Sequence, residues 1–176
     1  VLTNVYQYGD GSIYPAYFHS IYGEVSRYTK GSGIYRLFYD SKYFLKNIRT
    51  TFDISYLPDE ALDFYGFNGY ETYYNPNFAD DEHAEYISRM YYKHERKLTR
   101  IKAEFQGKII ERKLRWLGGI VHYNNRIATV DIDKLNEGKD AADLLPDTVL
   151  LYDNYVNWGI IPADQADGGI NNFIKA

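Results

Sequence analysis

Residues 47–57 read NIRTTFDISYL. Every second residue gives Ile48, Thr50, Phe52, Ile54 and Tyr56, and the others give Asn47, Arg49, Thr51, Asp53 and Ser55. Side chains on a strand alternate between two faces, so this stretch predicts a strand with one apolar and one wet face. A second run, residues 98–109, repeats the pattern. Thr99, Ile101, Ala103, Phe105, Gly107 and Ile109 fall on one side, and Arg100, Lys102, Glu104, Gln106 and Lys108 on the other. Two readings fit such faces. The apolar side is the core of a soluble sandwich, or it is wetted by lipid.

Working outward, residues 1–8, 18–29, 34–39, 84–95, 114–124 and 170–176 also read as strands, giving about seven in all, mostly joined as hairpins. Pro58 is expected to stop the strand over 47–57, because it cannot donate to a ladder. Residues 59–81 then form a long aromatic connection, with the acidic cluster Asp80, Asp81 and Glu82 at its end. Residues 131–145 lose the alternation and predict one or two short helices, broken at Gly138 and ended by Pro146, with a further helical turn over 152–158. Gly118 and Gly119 suggest a bend or a close approach within their strand. No repeat or linker divides the chain, so it reads as a single domain over 1–176.

Composition narrows the class. The 176 residues are enough for one domain with a core. A net charge of −4 offers no basic excess for phosphates and argues against a nucleic-acid partner. There are 20 Tyr and 9 Phe against 1 Met, which favours a β protein that meets something amphipathic. With no Cys, disulfides and thiolate metal sites are excluded. The chain begins at Val1 without a leader, as a mature chain or a piece of a longer one would. No apolar run approaches the ~20 residues of a spanning helix, which leaves a soluble domain or a β-barrel.

Catalytic signatures are missing. His19, His83, His94 and His122 are scattered without ligand spacing. Asp131-Ile132-Asp133 resembles the opening of a calcium loop, but its sixth position holds Asn136 where glycine is required. Asp59, Glu60 and Asp63, with Asp80, Asp81 and Glu82, supply carboxylates of the kind a glycosidase pairs, for example Asp63 with Asp81; as loop residues they read as solvated. Gly31-Ser32-Gly33 is a turn. The segment 64–70, FYGFNGY, is an aromatic loop whose Phe64, Phe67, Asn68 and Tyr70 form a platform, packed against the fold or open to a sugar or partner. No enzyme activity, metal or cofactor is expected.

Run length and aromatic placement favour lipid. Each clean run is about eleven residues, close to the ~9–11 that cross a bilayer at a tilt. Small side chains such as Thr50, Ala103 and Gly107 lie between aromatics placed towards strand ends, among them Tyr43, Tyr56 and Phe105, as in membrane barrels. The expected lipid-facing residues are Ile48, Phe52, Ile54, Ile101, Ala103 and Phe105. The expected lumen-facing residues are Arg49, Asp53, Arg100, Lys102, Glu104 and Lys108. The alternative is a soluble β-sandwich that binds carbohydrate through exposed Tyr and the 64–70 loop.

Several blocks carry a family likeness. ISYLPDEALDFYGFNGYE (54–71), EVSRYTKGSGIYRLFYDS (24–41), VDIDKLNEGKD (130–140) and YVNWGIIPADQADGG (155–169) resemble outer-membrane barrels of the BamA/TamA type, also called bacterial surface antigens. The resemblance implies an all-β fold, an antiparallel transmembrane β-barrel of 16 strands in the Gram-negative outer membrane. This chain would be an N-terminal portion of about seven strands, with long loops, one carrying short helices. It implies the lipid bilayer and client outer-membrane proteins as partners, in membrane-protein assembly or polypeptide translocation. The family's lumen motif, an Arg-Gly pair followed by an aromatic, is absent, since FNGY has Asn68 where that Arg belongs. No functional residue carries over.

Overall fold

The computed structural model describes residues 1–9, 17–67, 74–111 and 113–176. The fold is all-β. Seven antiparallel strands form one sheet in the order β1-β2-β3-β4-β5-β6-β7, a meander with each strand beside its sequence neighbour. They are β1 (Leu2–Tyr8), β2 (His19–Arg27), β3 (Gly33–Leu45), β4 (Ile48–Asp63), β5 (Lys93–Ile110), β6 (Leu114–Ala128) and β7 (Gly168–Lys175). The sheet is not closed, so β1 and β7 are its edges. Among the described residues no second sheet covers either face, and no helix is long and apolar enough to cross a membrane.

From β3 to β7 the connections differ sharply between the two ends. At one end β3 and β4 are joined by Lys46 and Asn47 alone, and β5 and β6 by residues 111–113. Asn47 takes the left-handed conformation (φ 62°) that so tight a turn needs, and Asn tolerates it better than most residues. At the other end, residues 64–92 join β4 to β5, and residues 129–167 join β6 to β7. These two long connections pack on each other as a cap. It carries helices α1 (Ile132–Asn136) and α2 (Leu151–Asn157) and two short 3₁₀ turns. Gly138 breaks the chain after α1 at φ 73°.

The buried apolar core lies mainly in the cap, away from the middle of the sheet. Tyr92, Leu151, Tyr152, Tyr155 and Ile161 form one cluster, and Val130, Ile132, Leu135, Leu145 and Leu150 another. Tyr155 is fully buried. Asn136 locks the second cluster by exchanging two hydrogen bonds with the backbone of Leu145.

Three expectations need correction. Pro58 does not end β4, which runs on to Asp63. Pairing with β3 stops at Tyr56, so beyond it β4 pairs only with β5, and the missing amide of Pro58 interrupts no two-sided ladder. The long connection therefore starts at residue 64, not 59. Residues 84–92 are a chain of turns and not a strand, with β5 beginning at Lys93. There, amides of Tyr86, Tyr91 and Lys93 each bond a carbonyl three residues back, and Tyr91 and Tyr92 serve the cap core. Finally, the strand expected over 34–39 is longer, extending through an irregularity between Ser41 and Leu45.

Gly168 marks the return from cap to sheet. Its φ is 89°, and a Cβ there would sit 2.0 Å from the Asn125 carbonyl oxygen. Gly168→Ala is expected to cost about 1–3 kcal/mol in backbone strain alone. Hydrogen exchange would show β7 losing protection selectively; unchanged exchange would refute this account of the junction.

Candidate functional site

Register assigns every strand residue to a face. Ile48, Phe52 and Ile54 pair with Gly107, Ala103 and Ile101, and Thr50 pairs with Phe105, so Ile48, Phe52, Ile54, Ile101, Ala103 and Phe105 share one side. Arg49, Asp53, Arg100, Lys102, Glu104 and Lys108 lie on the other.

The apolar side reaches across all seven strands and is interrupted on β6 and β7 by His122, Asn124 and Asn172, the first and last of which hydrogen-bond at 2.7 Å. One row runs Tyr6, Ile21, Tyr39, Phe52, Ala103, Ile120, Ile174. Most large apolar side chains exposed on the strands belong to this side. Leu37, Ile54, Ile101 and Ile120 are 51%, 47%, 46% and 62% exposed. Towards the short-turn end the rings of Tyr39, Phe44, Phe52 and Phe105 contact one another edge-on or stacked. Trp116 lies over Gly107, where a Cβ would meet its indole. Towards the cap, Tyr35 and Tyr56 stack with centroids 6.0 Å apart. On β4 the first of these layers falls at Phe52 and the second at Tyr56.

The opposite side is an ion-pair lattice. Asp53 accepts from Arg36 (2.8 Å), Arg100 (3.0 Å) and Ser55 (2.9 Å). Asp40 accepts two bonds from Arg49, both 2.8 Å, and one from Tyr17 at 2.6 Å. Glu104 is held by Lys102 (2.7 Å) and Lys175 (2.6 Å). Both aspartates are buried beneath their arginines. The side is not uniformly charged. Tyr22 and Phe38 lie on it, with the Arg36 guanidinium over both rings at 5.9 and 5.7 Å. Such pairs hold long side chains flat along a sheet that has no protein layer above it.

Sequence reasoning missed Arg36 and Asp40 as partners of this lattice. The signal was present in IYRLFYD, whose alternation puts Arg36, Phe38 and Asp40 on one side. Asp53→Asn would leave two guanidiniums facing each other. The expected loss is on the order of 2 kcal/mol, since breaking a covered pair strands its partner while water reaching Arg36 screens part of it. Urea unfolding would measure it, and an unchanged midpoint would show the lattice to be ornamental to stability.

Of the aromatic platform, Phe64 is half-buried in the cap. Phe64 packs against Phe67, His94, Tyr152 and Tyr155, with centroids 5.2–5.6 Å away. Phe67 is 47% exposed; Asn68 and Tyr70 lie outside the described residues. The carboxylates go separate ways, Asp63 to Lys93 and Asp81 to Arg89. Asp131 caps α1 by accepting from the Lys134 amide. It also borders a cleft of about 500 Å³ with Asp133, Asp147 and Asp153. There Asp153 is already engaged by Thr129 and the Leu150 amide. Among the described residues no group of three metal-ligating side chains is positioned to hold an ion.

Of the four histidines, His94 is the one packed against the aromatic core of the cap. It lies on β5 beyond the aromatic band, stacked on Tyr152 at 5.4 Å, with Nδ1 buried and unbonded. Burial, reinforced by Arg96, holds its pKa below the ordinary 6.5. The unfolded imidazole therefore binds a proton more readily than the folded one. Stability from a neutral His94 is complete above pH 6.5 and is lost as pH falls below that value. Trp158, in contact with Tyr155 at 5.6 Å, reports on the cap. Its thermal transition is expected to drop as the pH falls below 6.5. His94→Phe should flatten this dependence, and an equally steep profile in that variant would assign it elsewhere.

No family model, curated protein or solved structure matches this chain.

Proposed function

We propose that this chain is part of a transmembrane β-barrel of the outer membrane, of the BamA/TamA type, non-enzymatic, with its apolar side against lipid and its ion-pair lattice lining the lumen. Its role is in assembling outer-membrane proteins or translocating polypeptide. One observation carries the reading: the apolar side reaches across all seven strands, half exposed and uncovered by any second layer among the described residues. Water makes such a side costly at roughly 25 cal/mol per Å², whereas acyl chains make it favourable.

Other features support it. β4 is flanked by both β3 and β5 over nine residues, from Ile48 to Tyr56, close to the ~9–11 needed to cross at a tilt. From β3 to β7, short turns at one end and long connections at the other are in keeping with the general asymmetry of such barrels; the ten-residue β1–β2 connection lies at the short-turn end. The assembly or translocation role rests on the sequence likeness in blocks 24–41, 54–71, 130–140 and 155–169.

The test is Ile54→Arg, with Thr51→Arg on the lattice side as its control. At mid-bilayer depth the first is expected to cost about 2–4 kcal/mol and to abolish the heat-modifiable band of the folded protein in gels. The control keeps it. A chain that stays monomeric in buffer without detergent, and tolerates Ile54→Arg, would overturn the membrane reading.

A further inference from the structure

The two ends of the sheet carry opposite charge. The connections over 64–92 and 129–167 hold 14 Asp and Glu against 3 Lys and Arg. The short-turn end is the reverse. Lys42, Lys46, Arg49, Lys108, Lys113 and Arg115 gather on or beside two hairpins, β3–β4 and β5–β6, which are neighbours because β4 pairs with β5. Among the described residues the nearby carboxylates are committed, Asp40 to Arg49 and Tyr17 and Glu111 to Lys108. Lys46, Lys113 and Arg115 are exposed, and among the described residues their side chains make no hydrogen bond or ion pair.

Apolar side chains stand among these cations. Phe44 and Leu45 precede the first turn at 55% and 40% exposed, and Ile110 and Leu114 flank the second at 51% and 49%. Trp116 sits two pairs further in. Cations beside exposed apolar and aromatic groups are what an interface of charged headgroups over acyl chains accepts. A nucleic acid would use the cations and leave the apolar tips in water.

We propose that this short-turn rim is a docking surface for anionic phospholipid headgroups, which the acidic cap at the opposite end cannot be. The proposal rests on the membrane reading above and adds to it a lipid preference and an orientation: the short turns lie at the leaflet that carries anionic lipid.

The test uses detergent-solubilised full chain in a Trp158→Phe background, leaving Trp116 as the single tryptophan at the rim. Micelles doped with phosphatidylglycerol or phosphatidylcholine are titrated while Trp116 emission is followed. A saturable shift is expected with phosphatidylglycerol alone, weakened by salt as screening grows. Lys46→Gln, Lys113→Gln and Arg115→Gln together should weaken it about a hundredfold, at about fivefold per cation. All three side chains are exposed, so the fold should survive. Leu45→Ser with Ile110→Ser should also weaken it. Equal response to both lipids, or an unaffected triple variant, overturns the proposal. Displacement by millimolar inorganic phosphate would reveal a free-anion site, and equally tight binding of a DNA duplex indifferent to the Ser variants would reveal a polyanion site; both refute lipid docking. The two levels fail distinguishably. A chain soluble without detergent sinks the membrane reading, whereas one that inserts equally into both lipids sinks the headgroup preference only.

Discussion

The register of β4 against β5 is the constraint on which the rest depends. It runs from Ile48 paired with Gly107 to Asp63 paired with Lys93, shifting once between Asp59 and Leu62. Because side chains alternate with a period of two, a slip of one residue would exchange the faces. Asp53 would then lie among the rings of Tyr39 and Phe105, and Phe52 among arginines. No core beneath the sheet corrects such an error. Correct pairing is enforced by charge and by rings: Asp53 recruits cations from both neighbouring strands, while Phe52 touches rings on both.

The molecule thus separates two kinds of cohesion. The sheet is held by backbone ladders and cross-strand pairs, each worth about 0.2–1 kcal/mol. The cap is held by conventional burial, with Tyr155 and Leu150 almost free of solvent. His94 belongs to both, since it is a ladder residue of β5 roofed by Tyr152 of α2. Lys134 of α1 makes a similar link by reaching Glu60 near the end of β4 at 2.7 Å.

How much of this was legible in the sequence follows from what each residue answers to. Alternation is a local property, so β4 and β5 and the membership of their two faces could be read directly. Pro58 was misread because its tolerance depends on where β3 stops, which is a property of a neighbour. Residues 84–92 were misread because Tyr91 and Tyr92 take their conformation from the cap and not from a strand period. The short helices were foreseen from Gly138, Pro146 and the loss of alternation. The ion partners were half legible: Asp53 and Arg100 stood out, yet their meeting with Arg36 required knowing the order of strands. Phe64 read as an aromatic loop residue, but its burial under α2 needed the contact between two connections distant in sequence.

The turn of Lys46 and Asn47 has a consequence for the order of assembly. Joining β3 to β4 closes a loop of two residues, whereas joining β4 to β5 must gather the whole of residues 64–92. Closure entropy rises with loop length and short hairpins zip in microseconds, so the first pairing is the cheaper and earlier one. Within that hairpin Asp53 already holds Arg36. Arg100 arrives with β5 as a second counter-ion, so the carboxylate is neutralised in two stages, one local and one that waits for the cap to form.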